Sequence, residues 1–449
     1  MSHSVLVIMA TRSESPQLGN AQQDGSTGMR RVASSSLLGC VLEWYDFYLY
    51  GFAAALVFNK VFFPSLSPVA GTLMALSTFT VGFIARPLGG VLCGHFGDRI
   101  GRKAMLILTI VVMGTATMLF GVLPTYDQVG IWAPICLVVL RFLQGLALGG
   151  EWGGAVLMVV EHADQRRRGF WGSVVQLGAP LGQALATGAL LICSLSLSNE
   201  AFQSWGWRIP FLASGLLLVV ALYIRLKVAE SPEFEQVKAS EDRVAMPIVE
   251  TLKRHFKGVV LCFSLYMGAI TVPFFINGVF MTSYGTSVLE INRNAVLSAV
   301  VLTHAVFFTA ATLLGGALAD RFGNRRIYMF GSVAILLAAF PTFWIVGGGS
   351  LGWLIVGMCL FGIPMWVCWG VTPAYFTQQF PANIRYSAIS VSGQAATVVG
   401  GIVPPAATAL VSWSGGPWPV AAIGTVGAAV ALIALVTLGK DRHKTSSRS

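Results

Sequence analysis

The sequence predicts an all-α membrane protein of twelve transmembrane helices in two six-helix repeats, and three observations carry that prediction. Only 11% of the 449 residues are charged while 55% are hydrophobic, proportions that exclude an ordinary soluble globular protein. A bilayer core about 30 Å thick asks for roughly 20 apolar residues per spanning helix, and twelve such segments can be laid along the chain. A short loop motif that follows the second segment returns after the eighth.

In chain order the segments fall near 33–57, 71–93, 104–123, 132–160, 169–193, 207–226, 257–282, 295–317, 327–347, 352–375, 386–411 and 419–438. The 50 glycines suit them, because small residues let helices approach closely in lipid. Residues 1–30 are polar and mixed apart from Val5–Met9, a run too short for the apolar region of a signal peptide. A disordered cytoplasmic tail is expected there, with Met29 before Arg30 and Arg31 as an alternative start. Residues 227–256 form the longest polar interruption and divide a six-helix bundle over 31–226 from a second over 257–439, leaving 440–449 as a cytoplasmic tail.

A net charge of +10 raises the question of nucleic acid, and its placement answers it. With a cytoplasmic N-terminus, three of the 29 Lys and Arg fall in external loops (Lys60, Arg208, Arg293), two inside helices (Arg86, Arg141) and the other 24 on the cytoplasmic side. That asymmetry is the positive-inside rule. It sets both termini in the cytoplasm and leaves no basic patch for nucleic acid. The seven cysteines lie in or at the ends of apolar segments without Cys-x-x-Cys spacing, and the six histidines are scattered. No disulfide framework, metal site or cofactor is expected.

The repeat is explicit. GHFGDRIGRK (Gly94–Lys103) follows the second segment and GALADRFGNRR (Gly316–Arg326) follows the eighth, with Gly94, Asp98, Arg99 and Gly101 matching Gly316, Asp320, Arg321 and Gly323 at one spacing. After the fourth and tenth segments, Glu161 and Arg168 match Gln378 and Arg385, again at one spacing. Two parallel repeats place a substrate path between the halves, with binding near the midplane.

With these motifs in view, the chain resembles the major facilitator superfamily and, within it, the metabolite:proton symporter family. The residues that carry this are EWYDFYLYG (Glu43–Gly51), ARPLGG (Ala85–Gly90), GHFGDRIGRK, RFLQGLALGGEWGG (Arg141–Gly154), WGWRIPF (Trp205–Phe211), ESPEFEQ (Glu230–Gln236) and RYSAIS (Arg385–Ser390). The first half, including Ala55–Leu73, is most similar to the shikimate permease branch. The resemblance implies uptake of a small carboxylated metabolite by proton symport, by a monomer in a bacterial plasma membrane.

Charges at membrane depth are costly and mark function or pairing. Five stand out: Glu43 and Asp46 in the first segment, Arg86 in the second, Arg141 and Glu151 in the fourth. Asp46 lies about 13 residues into its helix, roughly 20 Å at 1.5 Å per residue and near mid-bilayer. Glu43, Asp46, Phe47 and Tyr50 share one helical face, and Arg141, Gln144 and Glu151 share another. Arginine stays protonated, whereas a desolvated carboxylate takes up a proton readily. Asp46, Glu43 and Glu151 are therefore the candidates for proton coupling. Arg141, Arg86, Gln144 and Tyr50 are the candidates for the substrate, since arginine binds carboxylates through two parallel hydrogen bonds. Purely structural ion pairs, Asp46–Arg141 or Glu151–Arg86, are the rival reading. Within the first segment Glu43 is expected to partner Arg141 and Asp46 to carry the proton.

The resemblance implies a cytoplasmic gate in the loop motif: Gly94, Asp98, Arg99, Gly101, Arg102, Lys103 and Glu161 in the first half, with Asp320, Arg321, Gly323 and Arg325 in the second. Plain positive-inside anchoring is the alternative. Gln378 stands where the family usually has an acid, so the second gate lacks one charge pair. His304, Gln176 and Gln394 are further substrate candidates, each as readily a packing or helix-gluing residue. Trp366, Trp369 and Tyr375 offer rings for stacking or for core packing. Two rivals share the fold: a drug:proton antiporter, suggested by Gly178–Gly182, and a proline or betaine carrier. An enzyme is not expected, since no nucleophile–base set, metal spacing or nucleotide loop appears.

Overall fold

The structure is a computed structural model that describes residues 18–100, 102–149, 156–157, 159–160, 163–227 and 247–445; for 18–32, 35, 91, 93–100, 102–106, 221, 224–227, 247–252, 382–383, 386 and 439–445 only the backbone is described. Among the described residues there are twelve long helical spans. The first half holds α1 (Leu18–Ala53, prolonged by a π turn at Ala54–Phe58), α2 (Pro68–Ile100), α3 (Arg102–Val122), α4 (Trp132–Leu148), α5 (Gln165–Ser196) and α6 (Arg208–Lys227). The second holds α7 (Pro247–Tyr266, running on to Ser287), α8 (Arg293–Phe322), α9 (Asn324–Val346), α10 (Leu351–Thr377), α11 (Ala382–Ser414) and α12 (Trp418–Thr445).

Eight of these, α2, α5 and α7–α12, are long and apolar enough to cross a membrane by length and composition, while α3, α4 and α6 are shorter apolar helices. The spans match the twelve expected segments one for one, and the differences lie at their ends. α1 starts at Leu18, so residues 18–30 are helical rather than the expected disordered tail. α12 runs to Thr445, past the expected start of the last tail. Once a helix is nucleated, extending it into polar residues costs little, so hydropathy underestimates its length. α7 begins at Pro247, inside the expected central loop, and kinks at His255. The fourth segment was expected to reach 160, where α4 is described only to Leu148 and residues 150–155 lie outside the described residues.

Every major packing pair of the first half has its counterpart in the second. α1 packs on α5 as α7 packs on α11, α2 on α4 as α8 on α10, and α3 on α6 as α9 on α12. The halves meet along α2–α11 and α5–α8, pairs that exchange under the same repeat. Glycine sets the tightest contacts: a β-carbon at Gly145 would run into the Gly82 carbonyl of α2, and one at Gly370 into the Thr312 carbonyl of α8. Backbone-to-backbone approach of this kind is how helices associate without a hydrophobic driving force.

Twelve alternating helices put the start of α1 and the end of α12 on one face, called the terminal face below; the other is the opposite face. π turns interrupt α1 at Ala54–Phe58, α7 at Met267–Thr271 and Ile276–Phe280, and α8 at Thr303–Phe308. Such turns re-aim side chains and recur at functional sites.

Candidate functional site

The first-half charges converge at mid-helix. Glu43 and Asp46 on α1, Arg86 on α2 and Arg141 on α4 are 6%, 5%, 6% and 1% exposed. The Arg141 guanidinium stands against three ring faces, with its Cζ 4.4 Å from the Tyr50 centroid, 4.8 Å from Phe79 and 5.3 Å from Phe47. Its Nη1 donates to Gln144 Oε1, Gln144 Nε2 donates to Thr117 Oγ1 at 2.8 Å, and Tyr50 shares a 2.7 Å hydrogen bond with Thr78. Arg141 Nε has no hydrogen-bond partner, and among the described residues no carboxylate lies within ion-pair reach of this side chain. The close approach of Gly82 holds the guanidinium in place, since a β-carbon there would come within 2.6 Å of Arg141 Nε.

Arg86 lies on the other side of Phe47, its Cζ 5.1 Å from that ring and 4.9 Å from Phe83. The charges facing it are Glu43 and the Tyr266 hydroxyl of α7. Glu43 was expected to partner Arg141; it faces Arg86 instead, because the α1 face turns Phe47 and Tyr50 toward Arg141. Asp46 lies beside Thr117, whose hydroxyl donates to Met113 O at 3.0 Å, and among the described residues it meets no guanidinium. Two arginines and two acids thus share a pocket walled by phenyl rings, with Glu43 on the Arg86 side. Arg141 and Arg86 are near enough to feel each other's charge.

Rings continue this wall across the interface. Phe83 meets Phe275 at 5.1 Å, Trp44 meets Phe274 at 5.4 Å and Trp369 at 5.7 Å, and Tyr48 meets Phe274 at 5.5 Å. Gln176 and Trp369 are bound to each other across the halves, Gln176 Nε2 donating to Trp369 O and Trp369 Nε1 to Gln176 O. That reciprocal pair is an interhelical tie. His304 lies in the α8 π turn with Nδ1 2.9 Å from Val300 O and its ring against Phe308 and Trp366. Gln394 meets Thr397 of its own helix, α11, and Tyr375 packs against Tyr328.

Reading the sequence missed Gln183 of α5, Asn277 of α7 and Tyr48 of α1. Both amide atoms of Gln183 and of Asn277, together with Tyr48 Oη and Trp366 Nε1, are buried without a hydrogen-bond partner. Their only sequence signal was an amide within an apolar run, which also describes ordinary helix glue.

At the terminal face the second-half motif is well placed. Asp320 of α8 accepts from Gly169 N at 2.7 Å and Phe170 N at 2.9 Å, so an acid of one half caps the first turn of α5 in the other. Arg321 stacks on Phe322, and Gly323 makes the α8–α9 turn at φ +93°. Arg325 donates to Leu435 O at 3.4 Å and, with Gln378, lines a cavity of about 310 Å³ at this face. Gly94 lies in α2, while the side chains of Asp98, Arg99, Arg102 and Lys103, and residues Gly101, Glu151 and Glu161, lie outside the described residues. At the opposite face Arg293 of α8 reaches Ser194 at 3.0 Å and Asn199 at 3.1 Å and covers the Phe202 ring at 4.1 Å.

Comparison with known proteins puts this geometry in context. The sequence model of the Major Facilitator Superfamily matches residues 37–403 and 259–449. The shikimate transporter of Escherichia coli (strain K12) is 41% identical over 423 residues, covering 92% of this chain and 95% of that protein. The proline/betaine transporter of the same strain is 33% identical over 426 residues, covering 93% and 84%. Among solved structures, a partially occluded inward-open form of the E. coli xylose transporter superposes with a TM-score of 0.71 at 17% identity, covering 92% of this chain and 97% of that one.

Proposed function

The chain belongs to the major facilitator superfamily, and on that premise we propose that it takes up a small organic acid, such as shikimate or a related carboxylate, together with a proton. It is a membrane transporter and not an enzyme. The observation that supports the carboxylate is Arg141: a guanidinium 1% exposed, held against rings, with Nε unpaired and no described carboxylate beside it. A buried cation without a counter-ion is costly and is kept where a ligand supplies the charge. Lysine would not serve as well, because only the planar fork meets a carboxylate through two bonds.

Charge balance supports the proton. Glu43 is the acid whose charge reaches Arg86, and no described acid stands beside Arg141. Counting the described groups alone, with Glu151 outside them, an ionised Asp46 brings the four to zero and an arriving carboxylate adds an unmatched negative charge in a dry pocket. If Asp46 carries a proton, the set has one positive charge to spare and the carboxylate restores neutrality. Substrate and proton then enter together, one for one. In this reading Thr117, which lies beside Asp46 and accepts from Gln144, links the proton site to the substrate arginine.

The Asp320 cap on α5 and, by the sequence repeat, the loop motif that holds Asp98 serve as the gate on the terminal face, which the distribution of Lys and Arg assigns to the cytoplasm. The Arg293 contacts close the opposite face. A bacterial inner membrane is the setting that fits the bacterial relatives, and one chain contains both halves of the site, so a monomer suffices. The test is uptake of radiolabelled shikimate into proteoliposomes under an imposed inward proton gradient. Accumulation that collapses with an uncoupler is expected. Accumulation that survives the uncoupler and follows sodium instead overturns the proton coupling.

A further inference from the structure

Polar atoms buried without partners cost about 1–3 kcal/mol each and in native proteins call for a specific cause. Among the described residues five of the twelve sit near helix ends, on Asn59, Arg168, Gln203, Trp207 and Thr342, and one is Arg141 Nε. A second group sits at mid-helix on the second-half side of the interface. It comprises Tyr48 Oη, both amide atoms of Gln183, both of Asn277, and Trp366 Nε1.

These groups converge on two turns of α7. Tyr48 and Trp366 both touch Phe274, at 5.5 and 5.6 Å between ring centroids. One turn further, a β-carbon on Gly278 would stand 3.1 Å from Gln183 Nε2, so the Gln183 amide lies on the α7 backbone beside Asn277. Asn277 Nδ2 in turn lies against Gly362 of α10, next to Phe308, which stacks on Trp366 at 5.7 Å. The π turn Ile276–Phe280 supplies the backbone irregularity that brings Asn277 and Gly278 to this position. The Tyr48 ring also meets Phe47 edge-on at 5.5 Å, and Phe47 is the ring that both Arg86 and Arg141 stand against. The uncharged group therefore borders the charged pocket directly.

The two sets differ in what they can bind. The first offers a guanidinium fork for one carboxylate. The second carries no charge, yet it holds donors and acceptors together: each amide has both, a phenol has both, and the indole donates. A quaternary ammonium has neither N–H nor O–H and would leave all of them unpaired, while a ring hydroxyl donates and accepts at once. Resting on the carboxylate reading above, we infer that Tyr48, Gln183, Asn277 and Trp366 form a hydroxyl-reading subsite, and that the substrate is a ring carboxylate bearing several hydroxyls. Its carboxylate faces Arg141 and its hydroxyls face α5, α7 and α10. A site built to hydrogen-bond a hydroxyl rejects the analogue lacking it far more strongly than an apolar pocket rejects an extra group.

The experiment compares three probes in proteoliposomes containing the full chain: shikimate, its deoxy analogue cyclohex-1-ene-1-carboxylate, and glycine betaine. Each competes against radiolabelled shikimate or is itself labelled. Wild-type protein should prefer shikimate over the deoxy acid by about 100-fold or more and ignore glycine betaine. Asn277→Leu and Gln183→Leu should each weaken shikimate about tenfold while leaving the deoxy acid unchanged or bound more tightly. Trp366→Phe keeps the ring and removes only the N–H donor, so it reads the same effect if a leucine variant does not fold. Equal affinity for shikimate and the deoxy acid in wild-type protein, or an equal loss for both in Trp366→Phe, overturns the hydroxyl subsite while the carboxylate reading survives. Transport of glycine betaine with neither acid competing overturns both.

Discussion

The two halves share one repeat and pack their helices in the same pairs, yet their centres are chemically opposite. The first half buries Glu43, Asp46, Arg86 and Arg141; among the described residues of the second, the buried polar groups at comparable depth are amides, hydroxyls and His304. The repeat makes the contrast specific. At the spacing that lays Gly94 on Gly316, Arg86 falls on Phe308 and Gly82 on His304. At the spacing that lays Arg168 on Arg385, Arg141 falls on Met358 and Gln144 on Phe361. The same backbone positions hold ions on one side and rings or thioethers on the other. A symmetric scaffold that closes around an asymmetric solute needs only one charged wall, and the other wall is free to read shape and neutral hydrogen bonds.

The contrast breaks most visibly at Arg141. Arg141→Lys keeps the charge and loses the fork, and transport should fall about 100-fold, measured as initial uptake at equal expression. The mirrored change Met358→Leu conserves volume in the second half and should cost little. Near-normal shikimate affinity in Arg141→Lys would mean the charged wall does not hold the carboxylate.

A smaller effect separates the same walls through glycine. Gly82→Ala drives a β-carbon toward Arg141 Nε, which the tight α2–α4 contact cannot relieve, and should reduce affinity about tenfold. Gly278→Ala meets the far end of the flexible Gln183 side chain at 3.1 Å and should cost only a few-fold. Competition binding on purified protein reads both, and an equal loss would erase the distinction between a fixed ionic wall and an adaptable neutral one.

The smallest expected effect is at the terminal face. Asp320→Ala removes two bonds to the first turn of α5 and should change the rate of switching a few-fold without altering which solute is preferred. Rates of exchange and of net uptake, measured side by side, separate the two. A change in selectivity would place Asp320 in recognition rather than gating.

The helices and their division into halves were legible in the sequence because lipid requires every backbone group to be satisfied within a helix, so apolar runs translate directly into spans. Charged residues were equally visible, since an ion within such a run is rare. Their partners were not. That Glu43 faces Arg86 depends on the rotation of α1 about its axis, which Phe47 and Tyr50 fix by packing on Arg141 and which no spacing reveals. Gln183 and Asn277 stayed hidden because a buried amide usually bonds a neighbouring helix; only the three-dimensional contacts show that these do not. Helical extension over 18–30 was invisible to hydropathy for the opposite reason, since those residues are polar.

The central claim is that Asp46 carries the proton that lets a carboxylate join Arg141, and the Asp46→Asn variant tests it most directly. The amide mimics the protonated acid, so the charge balance for substrate binding is permanently met and coupling is lost. In proteoliposomes, counterflow exchange of radiolabelled shikimate should persist near the wild-type rate, while accumulation driven by an inward proton gradient should vanish. Accumulation in Asp46→Asn equal to that of the wild type would contradict the account, and so would loss of coupling in Glu43→Gln with Asp46→Asn unaffected.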